Sequence, residues 1–111
     1  MGLIINKEIY KEFEKQEDEL DSTFPYIGQF PNYEIRQIKF EKWQKEKKLL
    51  DTTIKNKLKE VYNIDDGIIL FAEELVDSSD NGYSTKELEY YIVLILNFLE
   101  NRRKNKWILK F

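Results

Sequence analysis

The stretch Ser84-Thr85-Lys86-Glu87-Leu88-Glu89-Tyr90-Tyr91-Ile92-Val93-Leu94-Ile95-Leu96-Asn97-Phe98-Leu99-Glu100 decides the fold class. It opens with Ser-x-x-Glu, a capping box. In that arrangement Ser84 accepts from the backbone N–H of Glu87 while the Glu87 carboxylate reaches back to the start of the helix. Beyond the box the segment is apolar over most of a helical circumference: Leu88, Tyr91, Ile92, Leu94, Ile95, Leu96, Phe98 and Leu99. Only Glu89, Val93, Asn97 and Glu100 leave a narrow, mostly polar stripe. A helix with so little polar surface belongs in the middle of a bundle. The sequence therefore predicts an all-α domain over 1–111, a compact bundle of four or five helices around a central C-terminal helix at about 85–104.

Upstream, helical periodicity recurs. Ile5, Ile9, Phe13 and Leu20 share a face, which predicts a first helix from Lys7 to Leu20 with Asn6 as its N-cap. Phe40, Trp43, Leu50, Ile54, Leu58 and Val61 form one stripe across 34–62, while Ile35, Ile38 and Leu49 fall on another face. Either the first half of that helix buries two faces, or it breaks near Asp51-Thr52-Thr53. A short strand at 33–40 is the third option. Asn63 to Gly67 reads as a turn, with Asp65 or Asp66 capping the apolar arc Ile68, Phe71, Ala72, Leu75 and Val76. Between the first two helices, Asp21 to Tyr33 holds both prolines and the aromatics Phe24, Tyr26, Phe30 and Tyr33, so it either wraps the core or meets a partner. The apolar tail Trp107–Phe111 is expected to fold back on the body or to make a contact, a homodimer included.

Composition limits the chemistry. The 111 residues contain no His and no Cys, which removes the usual nucleophile–base pairs and the common zinc sites. The four glycines are isolated, so there is no phosphate-cradling loop. Asp77-Ser78-Ser79-Asp80-Asn81-Gly82-Tyr83 resembles a calcium loop through its glycine, but Leu88 stands where the bidentate Glu belongs. A polar loop leading into the capping box accounts for every residue there. The expectation is no enzyme, no metal and no cofactor. Absence of cysteine favours a reducing, cytoplasmic setting, and the longest apolar run, Tyr90 to Leu96, is far short of a membrane span. Abundant Lys, Ile and Asn with a single Ala give the chain the look of an A+T-rich bacterial or phage gene.

Net charge is −3, but it is segregated. Residues 1–35 and 61–100 are acidic, and residues 36–60 and 101–111 are basic. The lysines of 36–59 scatter around their helix, and Arg, the commonest reader of base edges, is scarce, so nucleic acid is disfavoured as a partner. Acidic side chains on loops and helix starts suit a basic partner and speed its association. The sequence thus points to a non-enzymatic inhibitor that binds another protein, such as an immunity or antitoxin protein that neutralises a cognate nuclease toxin. A phage anti-defence protein acting on a defence nuclease, or a nucleic-acid-associated small regulator using the basic 36–59 block, is the alternative. The expected contact residues are Asp65, Asp66, Glu73, Asp77, Asp80, Tyr83 and Glu87, joined by Tyr26 and Phe30 of the aromatic loop.

Overall fold

The computed structural model describes residues 3–29, 31–79 and 82–105, with 104 and 105 described in their backbone. The chain is all-helical over these residues. A 3₁₀ turn at Ile9–Glu12 leads into α1 (Glu14–Ser22), followed by α2 (Tyr33–Tyr62), α3 (Asp66–Ser78) and α4 (Thr85–Asn105). Residues 33–40 form no strand; they are the first turns of α2. The apolar tail from Trp107 lies outside the described residues.

The first helix departs from the Lys7–Leu20 span that periodicity predicts. Asn6 does not cap an α-helix; its side chain accepts from the Glu8 N–H at 2.7 Å, and Glu8 turns left-handed with φ 55. The free donors of the next turn are taken by Glu89 of α4, whose carboxylate accepts from the N–H groups of Ile9 and Tyr10 at 3.0 and 2.9 Å. Cap and helix therefore come from opposite ends of the chain. The resulting 3₁₀ turn brings Ile9, Tyr10 and Phe13 into the interior before α1 begins.

α2 is one unbroken helix of 30 residues, about 45 Å long. Asn32 caps it, accepting from the Ile35 N–H at 3.2 Å. It runs unbroken through Asp51-Thr52-Thr53, where the Thr52 and Thr53 hydroxyls turn back to donate to the carbonyls of Lys48 and Leu49, each at 3.0 Å. Asn63 ends it in a left-handed turn, φ 53, and the Ile64 N–H returns to the Lys59 carbonyl at 3.0 Å. Only the last third is buried, through Ile54, Leu58 and Tyr62. The first half buries one face in part, and Ile35, Ile38 and Leu49 stay exposed. That half projects from the body, and the molecule measures 70 × 24 × 20 Å.

The body is built by Ile54 and Leu58 of α2, Ile69, Ala72 and Val76 of α3, Leu88, Ile92 and Ile95 of α4, and Ile9 and Phe13 of the N-terminal segment. Ala72, the only alanine in the chain, is fully buried. A second cluster steadies the projecting end. Phe24 meets Tyr26 and Trp43 at 4.8 Å each and Phe40 at 6.0 Å, in edge-on geometry. The Trp43 indole N–H donates to the Leu20 carbonyl at 3.1 Å, tying α2 to the end of α1.

The polar stripe of α4 faces inward. Besides Glu89, Asn97 makes a two-way contact with the extended N-terminal segment: Oδ1 accepts from the Ile4 N–H at 2.6 Å and Nδ2 donates to the Ile4 carbonyl at 3.0 Å. α4 is consequently not enclosed on every side. Tyr90, Leu94 and Phe98 are left exposed.

Candidate functional site: an acidic groove around Tyr83

Tyr83 stands half-exposed just ahead of α4. It borders a groove of about 340 Å³ whose walls come from three stretches of sequence. α1 supplies Glu14, Glu17, Asp18 and Asp21, α2 supplies Lys47 and Asp51, and the start of α4 supplies Ser84, Thr85 and Lys86. Five carboxylates thus face two ammonium groups. Lys47 is partly engaged, 3.9 Å from Asp21.

The electrostatics arise from this crowding. The Glu17 carboxyl is raised above its ordinary pKa, first because burial strips water from it, and then because Asp51 and Asp21 repel its charge. The Thr85 hydroxyl and Lys47 act against that rise. The Tyr83 phenol is also pushed up, by burial and then by the carboxylates of Glu73, Asp51, Asp77 and Glu17. The negative charges around Tyr83 therefore come from α1, α2 and α3 together.

The residues expected from sequence divide into several groups. Asp65 is spent as the N-cap of α3, accepting from the Ile68 N–H at 3.1 Å. Asp66 pairs with Lys59 at 2.8 Å, and Glu73 pairs with Lys55 at 3.1 Å, so both are tied to α2. Asp77 and Tyr83 belong to the acidic neighbourhood. Glu87 is not among the groove's lining residues. Its N–H donates to Ser84 Oγ at 3.2 Å, which makes one half of the capping box; among the described residues its carboxylate makes no return bond. Tyr26 packs on Phe24 at the projecting end, outside the groove lining. Asp80 and Phe30 lie outside the described residues.

Sequence reasoning missed Glu14, Glu17, Asp18, Asp21 and Asp51. The available signal was the excess of acids over 1–35, but only the antiparallel run of α1 along α2 brings them to Tyr83.

The other charged constellation is internal. Glu89 is fully buried, and the Tyr62 hydroxyl, itself receiving the Lys7 N–H at 2.8 Å, donates to it. Burial first, and the Glu89 carboxylate second, raise the Tyr62 phenol well above its usual range. Both Glu89 oxygens are used within the chain, which makes it a structural anchor. Among the described residues, no group of acidic side chains is arranged to hold a metal ion, and no helix is long and apolar enough to cross a membrane.

Comparison with known protein families, curated proteins and solved structures finds no match.

Proposed function

We propose that this protein is a non-enzymatic binding protein whose acidic groove receives a basic segment of another protein, in the manner of an immunity or antitoxin protein that neutralises a toxin such as a nuclease. The observation that carries this reading is the gathering of Glu14, Glu17, Asp18, Asp21 and Asp51 beside Tyr83. Like charges held together cost stability unless a cation relieves them, and the Glu17 carboxyl, raised first by its burial, is raised further by Asp51 and Asp21. A lysine- or arginine-rich surface would supply the relief, and an exposed tyrosine adds an apolar body with a polar tip to the contact.

The basic block of α2 fits this reading better than nucleic-acid binding. Lys47, Lys55 and Lys59 are drawn into pairs with Asp21, Glu73 and Asp66, which removes them from a phosphate-binding surface.

The test is comparative capture. The tagged chain and an Asp18→Lys/Asp51→Lys variant are incubated with lysate of the source cell, and retained proteins are identified and assayed for inhibition. The reading expects a basic protein that is held by the wild type, released by the variant and inhibited only by the former. Retention that is indifferent to the groove charges rejects it, as does binding of duplex DNA at low salt that vanishes in a Lys42→Glu/Lys45→Glu variant.

A further inference from the structure

A row of three large side chains lies along the open side of α4. Tyr90, Leu94 and Phe98 are spaced four residues apart and so succeed one another along one face. They are 53, 49 and 61% exposed. A row of this kind on the surface of a small protein marks a contact, and its flanking charges say which contact. Glu87 lies in the first turn of α4, and Arg102 lies near its end. Neither side chain has an ion-pair partner among the described residues.

An apolar row with an acid at one end and a base at the other complements itself when turned end for end. With Leu94 on the two-fold axis, Tyr90 of one copy faces Phe98 of the next, and Glu87 comes opposite Arg102. A parallel pair would set Glu87 on Glu87 and Arg102 on Arg102, and it would align the two helix dipoles. We propose that α4 is the interface of a homodimer whose two copies pair antiparallel about Leu94.

The projecting half of α2 also leaves Ile35 and Ile38 exposed, but charged side chains of both signs follow them along that helix. The α4 row carries no charge between Tyr90 and Phe98. It also lies outside the groove lining, so the dimer and the acidic-groove reading stand or fall separately.

Sedimentation equilibrium or light scattering on the full chain tests the proposal. The expected mass is twice 13.5 kDa, falling to the single-chain value in Leu94→Glu and Phe98→Glu. Both positions are on the surface, and unchanged far-UV circular dichroism shows that the variants remain folded. Glu87→Arg and Arg102→Glu should each weaken the dimer roughly tenfold, and the two together should restore it. A monomeric wild type, a dimer unmoved by both glutamate variants, or a double charge swap that fails to recover association overturns the proposal.

Discussion

The Tyr62 hydroxyl and the Glu89 carboxylate lie 2.5 Å apart in the interior, joining the end of α2 to the start of α4. The same carboxylate takes the backbone N–H groups of Ile9 and Tyr10, so three segments meet on one side chain. Glu89→Ala leaves a hydroxyl and two N–H donors buried without acceptors. The expected loss is about 3 kcal/mol or more, against roughly 1.5 kcal/mol for Tyr62→Phe, which removes the bonds of its hydroxyl to Glu89 and from the Lys7 N–H but leaves Glu89 its backbone donors. Urea denaturation monitored by circular dichroism measures both. Hydrogen exchange at Ile9 and Tyr10 should accelerate far more in Glu89→Ala than in Tyr62→Phe.

The raised pKa of Tyr62 gives stability a direction in alkali. The fold favours the neutral phenol. Its contribution is complete below the unfolded value of about pH 10 and is lost as pH climbs from there through the folded value. Stability should therefore fall as pH rises above about 10. Tyr62→Phe should flatten that fall in part, since the raised Tyr83 phenol and Lys11 ammonium contribute to what remains. Urea midpoints across the alkaline range check this.

Glu17 acts on the other side of neutrality. Its folded pKa is raised, so the stability linked to its protonated form is present below about pH 4 and is lost as pH rises through the folded value. At neutral pH the charge counts against the fold. Glu17→Gln should raise stability there by less than about 1 kcal/mol, the group being only partly shielded from water. The gain should disappear in acid. The same substitution should weaken capture of a basic partner, since it removes charge from the groove.

Asn97 holds the Ile4 backbone by both its N–H and its carbonyl. Asn97→Ala should cost roughly 1–2 kcal/mol and expose residues 3–8 to proteolysis while α3 and α4 keep their exchange protection. A uniform loss of protection across the body would show instead that this segment is part of a single cooperative unit.

Phe24 touches three other rings at the projecting end. Phe24→Ala should speed exchange over 20–43 and leave Leu58, Ala72 and Ile92 unaffected, because those three belong to the core of the body and not to the aromatic cluster. The expected cost is about 2 kcal/mol.

Where a structural signal is local, the sequence displays it. Asp65 and Ser84 each accept an N–H three residues on, at 3.1 and 3.2 Å, and each marks a helix start that can be read from a few letters. The buried stripe Ile54–Leu58 on α2 is equally plain in the periodicity. The interruption near Phe13 is not, because the acceptor that reshapes the chain there is Glu89, 80 and 79 positions away from its two donors. Nor is the orientation of the α4 stripe legible: Glu89 and Asn97 look like a solvated edge until the N-terminal segment supplies their partners. The groove shows the same limit. Asp77 and Tyr83 lie within the acidic stretch 61–100 and are visible there, whereas Glu17 and Asp51 reach Tyr83 only through the packing of α1 on α2 and the placement of α4.

The link between Asn97 and Ile4 spans 93 positions, and this sets an order of events during synthesis. The backbone groups of Ile4, Ile9 and Tyr10 are made well before Asn97 and Glu89, the side chains that hold them. Until α4 has emerged, the backbone donors of Ile4, Ile9 and Tyr10 have only water to bind, while α2 and α3 can already pair. This segment can therefore dock only once its α4 partners exist, and its docking reports that translation has passed Asn97.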